Sequence, residues 1–335
     1  MSWGTMVVIV PGRFILQNLF FFFHSLDVLL LFRLSSCKMR RSAAVFAVDK
    51  YRLWWQSQRR KVLEDLAEGT NDKSLAGAVD PKIRPTVDFL NGIGDHFFTL
   101  SSCSGRLSLF HKTLPGFQVP KDILAEESRE LKMKRGIGLG TIWSTHDPLP
   151  QDDIAATAQL LVEKLHKVQE HITSDPQDPR IDGHLVELSF EPMVLHVRTF
   201  DLKAADLLLA AGGDSGQRRS GLWRSPFRLQ AEEPQTTGAA AGASEEFSRI
   251  TVSIGSSLSF RVPLVTGGRE WSCLGGGGDA PAFDLAPAMT AWLHYGNRLF
   301  EENDVRTRRF GEAVAKRYNS TLRGEGMSEL IFPAV

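Results

Sequence analysis

Ser101-Ser102-Cys103-Ser104-Gly105-Arg106 packs three hydroxyls, a thiol and a guanidinium between two apolar stretches, His96–Leu100 and Leu107–Phe110. A glycine in such a knot lets backbone approach a ligand closely. Amides, hydroxyls and a planar guanidinium together suit a phosphate or a carboxylate. The same residues also describe a tight turn whose serines satisfy their own backbone. Cys103 adds a second chemistry, because a thiolate beside a histidine base is a nucleophile, and nine histidines are available. A buried, inert cysteine is the plainer alternative. His146-Asp147, closing the stretch Leu139–Thr145, offers a proton acceptor near neutrality, or simply a turn at a strand end. Asp72 and Asp80 flank Gly77, and solvated carboxylates and a helix cap account for both.

Two tempting patterns are set aside. Gly136-Ile137-Gly138-Leu139-Gly140 follows the charged stretch Lys132–Arg135 and leads into a strand, whereas a dinucleotide loop follows a strand and opens a helix. Cys37, Cys103 and Cys273 are far apart with no CxxC pair, which argues against a thiolate zinc site, a redox dithiol or a disulfide framework. No metal is expected.

The elements that must position these residues follow from periodicity and punctuation. Asp49–Glu68 reads as a helix. Asp80-Pro81 reads as a helix start, the carboxylate capping and the proline at the first helical position, with Ile83, Val87 and Leu90 on one face and Gly92 or Gly94 ending the run. His96–Leu100 and Leu107–Phe110 are expected as two strands joined by the polar loop, and Leu139–Thr145 as another. Asp152–His171 is an amphipathic helix with Ile154, Leu160, Leu161, Leu165 and Val168 on one side. His184–Phe190 and Met193–Thr199 are two strands separated by Glu191-Pro192. Asp201 caps a helix to about Ala211. Ile250–Ile254 and Leu258–Leu264 read as a hairpin, and a closing helix covers about Ala286–Tyr318. The order lacks a regular βα alternation, so the class is α/β of the α+β kind, a mixed sheet with flanking helices.

The 335 residues are 42% apolar and 23% charged, as in a globular protein with a sizeable core. Lys and Arg number 39 against 39 Asp and Glu, so no global field marks a polyanionic partner. Met39–Asp147 holds 17 Lys/Arg against 13 Asp/Glu, an excess that suits a phosphate-contacting face. Phe14–Phe32 is almost continuously apolar, close to the ~20 residues of a spanning helix. It contains Gln17, Asn18, His24 and Asp27, however, and an Asp at the bilayer centre costs about 3 kcal/mol. Residues 1–38 are therefore read as an apolar extension outside the working protein, with Met39 as its start, ahead of a membrane anchor or a signal peptide. Residues 39–320 form the domain, with flexible inserts near 231–244 and 267–281, and 321–335 form a tail. The expected compartment is the reducing cytoplasm, with mitochondria as the alternative because Arg40 and Arg41 follow Met39.

In order along the chain, these pieces resemble the wybutosine-synthesis protein 3 family. SSCSGR stands entire at Ser101–Arg106. The preceding D-x-S-x-K-G-x-x-D pattern is matched by Asp72, Ser74, Gly77 and Asp80, and a later Asn by Asn91. A basic glycine run and a W-x-x-S/T-H strand are matched by Gly136–Gly140, Trp143, Thr145 and His146. E-P-x-x-L-H-V is matched by Glu191, Pro192, Leu195, His196 and Val197. G-x-R-x-S-G is matched by Gly216, Arg218, Ser220 and Gly221, and a last helix with two asparagines by Asn297 and Asn303. Three positions depart: Ala76 replaces a lysine, Leu100 a threonine, and Gly255 a common arginine. The resemblance covers roughly Phe46–Phe310 and implies a fold that is not the Rossmann methyltransferase. It implies methyl transfer from S-adenosylmethionine to a ring nitrogen of the tricyclic wybutosine precursor beside the anticodon of tRNA(Phe), with the anticodon loop as partner. A tRNA-binding relative with little activity is the alternative. Ser101 to Arg106, His196, Arg218, Ser220 and Gly221 would then bind cofactor or RNA. Asp72, His146 or Asp147 would accept the proton, and Trp143 and Phe98 could stack a base, unless they pack in the core.

Overall fold

The computed structural model describes residues 49–68, 78–112, 140–173, 185–228, 246–266, 284–323 and 329–333. Contacts group residues 58–234 with 246–335 in one unit and residues 1–57 with 235–245 in another. Of the second unit only 49–57 are described, the first part of helix α1 (49–67). The apolar stretch before Met39, Asp72, Ala76, Gly136–Leu139 and the inserts at 231–244 and 267–281 lie outside the described residues. Among the described residues no helix is long and apolar enough to cross a membrane.

In the first unit, α2 (Arg84–Gly92) leads into β1 (Phe97–Lys112), β2 (Thr141–Thr145), α3 (Ile154–Thr173), β3 (Leu185–Thr199), α4 (Leu202–Asp214), β4 (Gly221–Arg228), β5 (Glu246–Gly255), β6 (Phe260–Thr266) and α5 (Leu285–Thr321). The sheet order is β2-β1-β3-β5-β4, with β6 also on β3. These pairs are all antiparallel, and among the described residues a parallel contact is confined to the isolated Arg218–Gly255 bridge. The fold is α+β, as the mixture of elements predicts.

Apolar side chains alternate along β3 with one fault. Val186, Leu188 and Phe190 are buried at the period of a strand, and so are Met193, Leu195 and Val197, but the step between the two sets is three residues. The first set belongs to one apolar cluster with Leu107, Leu109, Leu165 and Phe300. The second belongs to another with Phe97, Leu208, Val252 and Phe310. Glu191 and Pro192 occupy the step, and Pro192 has no N–H to give the ladder. Opposite Pro192 stands Gly105, at φ +108°, a backbone conformation that side chains with a Cβ avoid. A Cβ there would lie 3.2 Å from Glu191 O and 3.3 Å from both Met193 N and Asn303 Nδ2.

The Asn303 carboxamide closes the fault. Its Oδ1 accepts from Met193 N–H at 2.7 Å and its Nδ2 donates to Ser104 C=O at 2.8 Å, so one buried side chain bridges the backbones of β3 and β1. Asn297, two turns earlier on α5, holds Leu149 by the same two-point contact, at 2.9 and 2.8 Å. Asn91 brackets the bulge between Thr99 and Ser101, its Oδ1 accepting from Thr99 N–H at 2.9 Å and its Nδ2 donating to Thr99 Oγ1 at 3.0 Å. Helix α5, 37 residues and roughly 55 Å long, places Leu293 in one cluster and Val314 in the other.

Three expectations are corrected. SSCSGR is no loop, because β1 continues through it, its polar backbone paired with β3. Glu191-Pro192 does not end a strand, for the same reason. β5 and β6 are no hairpin, since both run antiparallel to β3, on Val194–Thr199 and Leu185–Phe190, and follow one another in line. The α3 stripe holds except at Leu160, which is exposed, while Ala158 takes a place in it. Asp201 caps α4 as expected, accepting from Ala204 N–H at 2.8 Å.

Two truncations separate the roles of the asparagines. Asn303→Ala strands a buried N–H and a buried C=O, each costing about 1–3 kcal/mol, so a loss of about 2–5 kcal/mol in urea unfolding is expected. Asn297→Ala, at a half-buried site, should cost less than half as much. Equal losses would show that Asn303 is not the clamp of the sheet.

Candidate functional site

A cavity of about 460 Å³ opens at the fault, lined by Ser101, Ser102, Cys103 and Arg106 from β1, with Glu191, Pro192, Val194 and His196 from β3 facing them. Asp80 and His146 close one side, and Arg219, Ser253, Gly255, Ser256, Ser259 and Arg261 the other. The last four lie at or near the interruption between β5 and β6.

Asp80 does not cap α2. The helix begins four residues later, after a turn closed by Ile83 N–H on Asp80 O at 3.1 Å, and its N-cap Ile83 has no side-chain bond. The Asp80 carboxylate is thereby free to reach β1, where Oδ2 accepts from Ser104 N–H at 2.8 Å and from Ser104 Oγ at 3.2 Å. The same oxygen lies 3.4 Å from His146 Nδ1, which is 3.0 Å from Gly105 O. A carbonyl only accepts, so His146 carries its proton on Nδ1 and leaves Nε2 as the basic nitrogen.

Cys103 Sγ lies 4.0 Å from His146 Nδ1, on the nitrogen that already holds a proton. Burial pushes the Cys103 thiol up to about 11, and the charges of Asp80 and Glu191 add to the rise, while a backbone hydrogen bond from Gly105 and the charge of Arg106 oppose it. Asp80, Cys103 and His146 bring three atoms of metal-ligand type within 4.8 Å. In this arrangement the imidazole Nδ1 and the thiol hold protons and the carboxylate accepts from Ser104, so the three form a hydrogen-bonded set. A nucleophilic thiolate does not fit it.

Arg106 spends its fork on Glu191, with Nε and Nη2 both donating to Oε2 at 2.8 and 2.7 Å, while Arg261 stands 3.9 Å from Oε1. Ser101 Oγ and His196 Nδ1 are 2.7 Å apart. Other expected site residues lie elsewhere. Asp147 is exposed and paired with Lys82 at 3.1 Å. Nearby Asp304, raised by burial and lowered by Lys82, belongs to the same surface group. Ser220 serves its own turn, Oγ donating to Gln217 O at 2.6 Å and accepting from Gly255 N–H at 3.3 Å. Gly221 only opens β4 opposite Ser253. Arg218 is exposed, and its neighbour Arg219 lines the cavity instead. Phe98 is buried, half-buried Trp143 packs against the core, and neither lines the cavity. Asp80, Glu191, Arg219, Arg261, Ser253, Ser256 and Ser259 are site groups that residue patterns alone missed, although the first two stand in the D-x-S-x-K-G-x-x-D and E-P-x-x-L-H-V segments.

A thiol raised to about 11 is protonated throughout the neutral range. In a Cys37→Ser, Cys273→Ser background, alkylation of Cys103 by iodoacetamide should be at least tenfold slower at pH 8 than that of a free cysteine, accelerating only toward pH 11. Rapid labelling at pH 7 would contradict the burial argument.

Residues 57–316 match the family described as Methyltransferase TYW3. A "tRNA wybutosine-synthesizing protein 3 homolog" from Xenopus laevis is 26% identical over 264 residues, covering 78% of this chain and 74% of that protein. The human homolog of the same description is 31% identical over 153 residues, 45% of this chain and 44% of that one. A "tRNA wybutosine-synthesizing protein 2/3/4" from Arabidopsis thaliana is 25% identical over 78% of this chain, which spans only 21% of that longer protein. Among solved structures, the PH1069 protein from Pyrococcus horikoshii superposes with a TM-score of 0.45 at 15% identity, over 78% of this chain and 95% of its own. With the motif-bearing strands, their clamp and the cavity all inside the matched span, the chain belongs to the Methyltransferase TYW3 family.

Proposed function

We propose that the protein transfers a methyl group from S-adenosylmethionine to a ring nitrogen of the tricyclic wybutosine precursor in tRNA(Phe), with the cavity at the Gly105–Pro192 fault as its active site. The observation that supports this most is the junction itself. SSCSGR, the Glu191-Pro192 segment and His146 come from separate strands and a strand end and meet in one cavity, and its volume of about 460 Å³ lies in the range of small-molecule sites. Its residues fit the cofactor's chemistry: the serines offer donors to a carboxylate, and Asp80 and Glu191 offer negative charge to an ammonium or sulfonium.

The cofactor supplies an electrophilic methyl group on sulfur. The chain's part is to position the nitrogen and take its proton. His146 Nε2 accepts that proton, and the resulting imidazolium is stabilised at Nδ1 by Gly105 C=O at 3.0 Å and the Asp80 carboxylate at 3.4 Å. The Arg106–Glu191 pair holds β1 to β3 beside the reacting groups. One observation favours a tRNA-binding protein with little activity: the cavity wall carries Gly255, where the family resemblance has a common arginine.

Purified protein is expected to transfer methyl from labelled S-adenosylmethionine to tRNA(Phe) bearing the precursor base, and binding without transfer would leave the silent alternative standing. His146→Gln should lower kcat about 10²–10⁴-fold, with cofactor affinity retained. Arg106→Ala should cost about 2 kcal/mol in kcat/KM without unfolding the chain. Full activity in both variants would remove the cavity from consideration.

A further inference from the structure

Trp223 stands out at the edge of the site. It lies on β4, opposite Thr251, with 46% of its surface exposed. Its ring meets His196 edge to face, centroids 5.4 Å apart at 71°, and His196 in turn lines the cavity and contacts Ser101. The indole is thus one ring removed from the cavity lining. Charge beside it has one sign. Gly216–Arg228 contains Arg218, Arg219, Arg224 and Arg228 and no Asp or Glu. Arg218, Arg219 and Arg224 are exposed, and among the described residues the Arg219 side chain has no hydrogen bond or ion pair although it lines the cavity.

Resting on the RNA-methyltransferase reading, we propose that Trp223 stacks a base of the substrate's single-stranded loop next to the base being methylated, while Arg219 takes an adjoining phosphate. A base under modification must leave its stack, and loop recognition supplies an aromatic face for the bases it unstacks. Arginine fits the intervening phosphates. The position of Trp223 beyond His196 assigns it to a neighbouring base, because a ring stacked on its exposed face lies outside the cavity that receives the target. An exposed tryptophan alone would carry no such meaning; its contact with the cavity histidine and the acid-free arginine run give it one.

The test uses the full chain and an anticodon stem-loop RNA of tRNA(Phe), with binding followed by fluorescence anisotropy against salt, and S-adenosylmethionine binding measured separately. Trp223→Ala should weaken RNA binding about tenfold or more and leave both the salt slope and cofactor affinity unchanged. Trp223→Phe should recover most of the loss. Arg219→Ala should weaken binding and lower the salt slope by about one. RNA binding by Trp223→Ala at wild-type strength overturns the proposal, as does a loss of cofactor affinity with RNA affinity intact, which would assign Trp223 to the cofactor. Wild-type protein that binds the stem-loop through Trp223 yet transfers no methyl to precursor-bearing tRNA would instead refute the catalytic reading.

Discussion

The carboxamide of Asn303 enters the sheet where Pro192 cannot donate and Gly105 takes a backbone conformation closed to other residues. By accepting from Met193 and donating to Ser104, it lets β1 and β3 remain single strands while the buried side chains of β3 change step between two apolar clusters. Without the change of step, Glu191 or its neighbours would turn into the core. With it, Glu191 and Pro192 both reach the cavity, and polar residues of β1 can line a site in the middle of a sheet with their backbone still paired. The site exists because the sheet is faulted there, and the fault is tolerable because a buried amide satisfies it.

Around that fault, opposite charges are arranged in fixed pairs. Glu191 lies against Arg106 and near Arg261, and Asp80 against Ser104 and His146. Each carboxylate is held by donors from a different strand or turn, so the groups that would meet a ligand are oriented before it arrives. Such preorganisation lowers the cost of binding and of reaction alike. Cys103, half-buried between two acidic groups, stays a neutral thiol and behaves as packing with a weak donor.

Much of this was legible in the residues. Period and caps placed α3, α4 and α5, and the ordered motifs named most of the side chains that meet in the cavity. What residues could not show was continuity. Serines, glycine and proline in mid-strand look like turns, because their pairing partners are 80 to 200 residues away in the chain: Ser104 with Asn303, Arg106 with Glu191. Asp80 looked like a helix cap because Asp-Pro has that form, but Pro85 sits in the first turn of α2 and the helix starts at Arg84. Asp147 and Arg218 sit one residue from His146 and Arg219, and at a strand end a shift of one residue decides which side chain faces the cavity.

The position of Asn303 in the chain also bears on how the protein is made. Helix α5 follows every strand of the sheet, so during synthesis β1 and β3 leave the ribosome well before the residue that joins them at Ser104 and Met193. A nascent chain can assemble parts of the separate apolar clusters from elements already present, but it holds an unsatisfied fault until α5 has been translated. The cavity is therefore finished late, and a ribosome that stalls before α5 would release a sheet that is largely formed and has no working site.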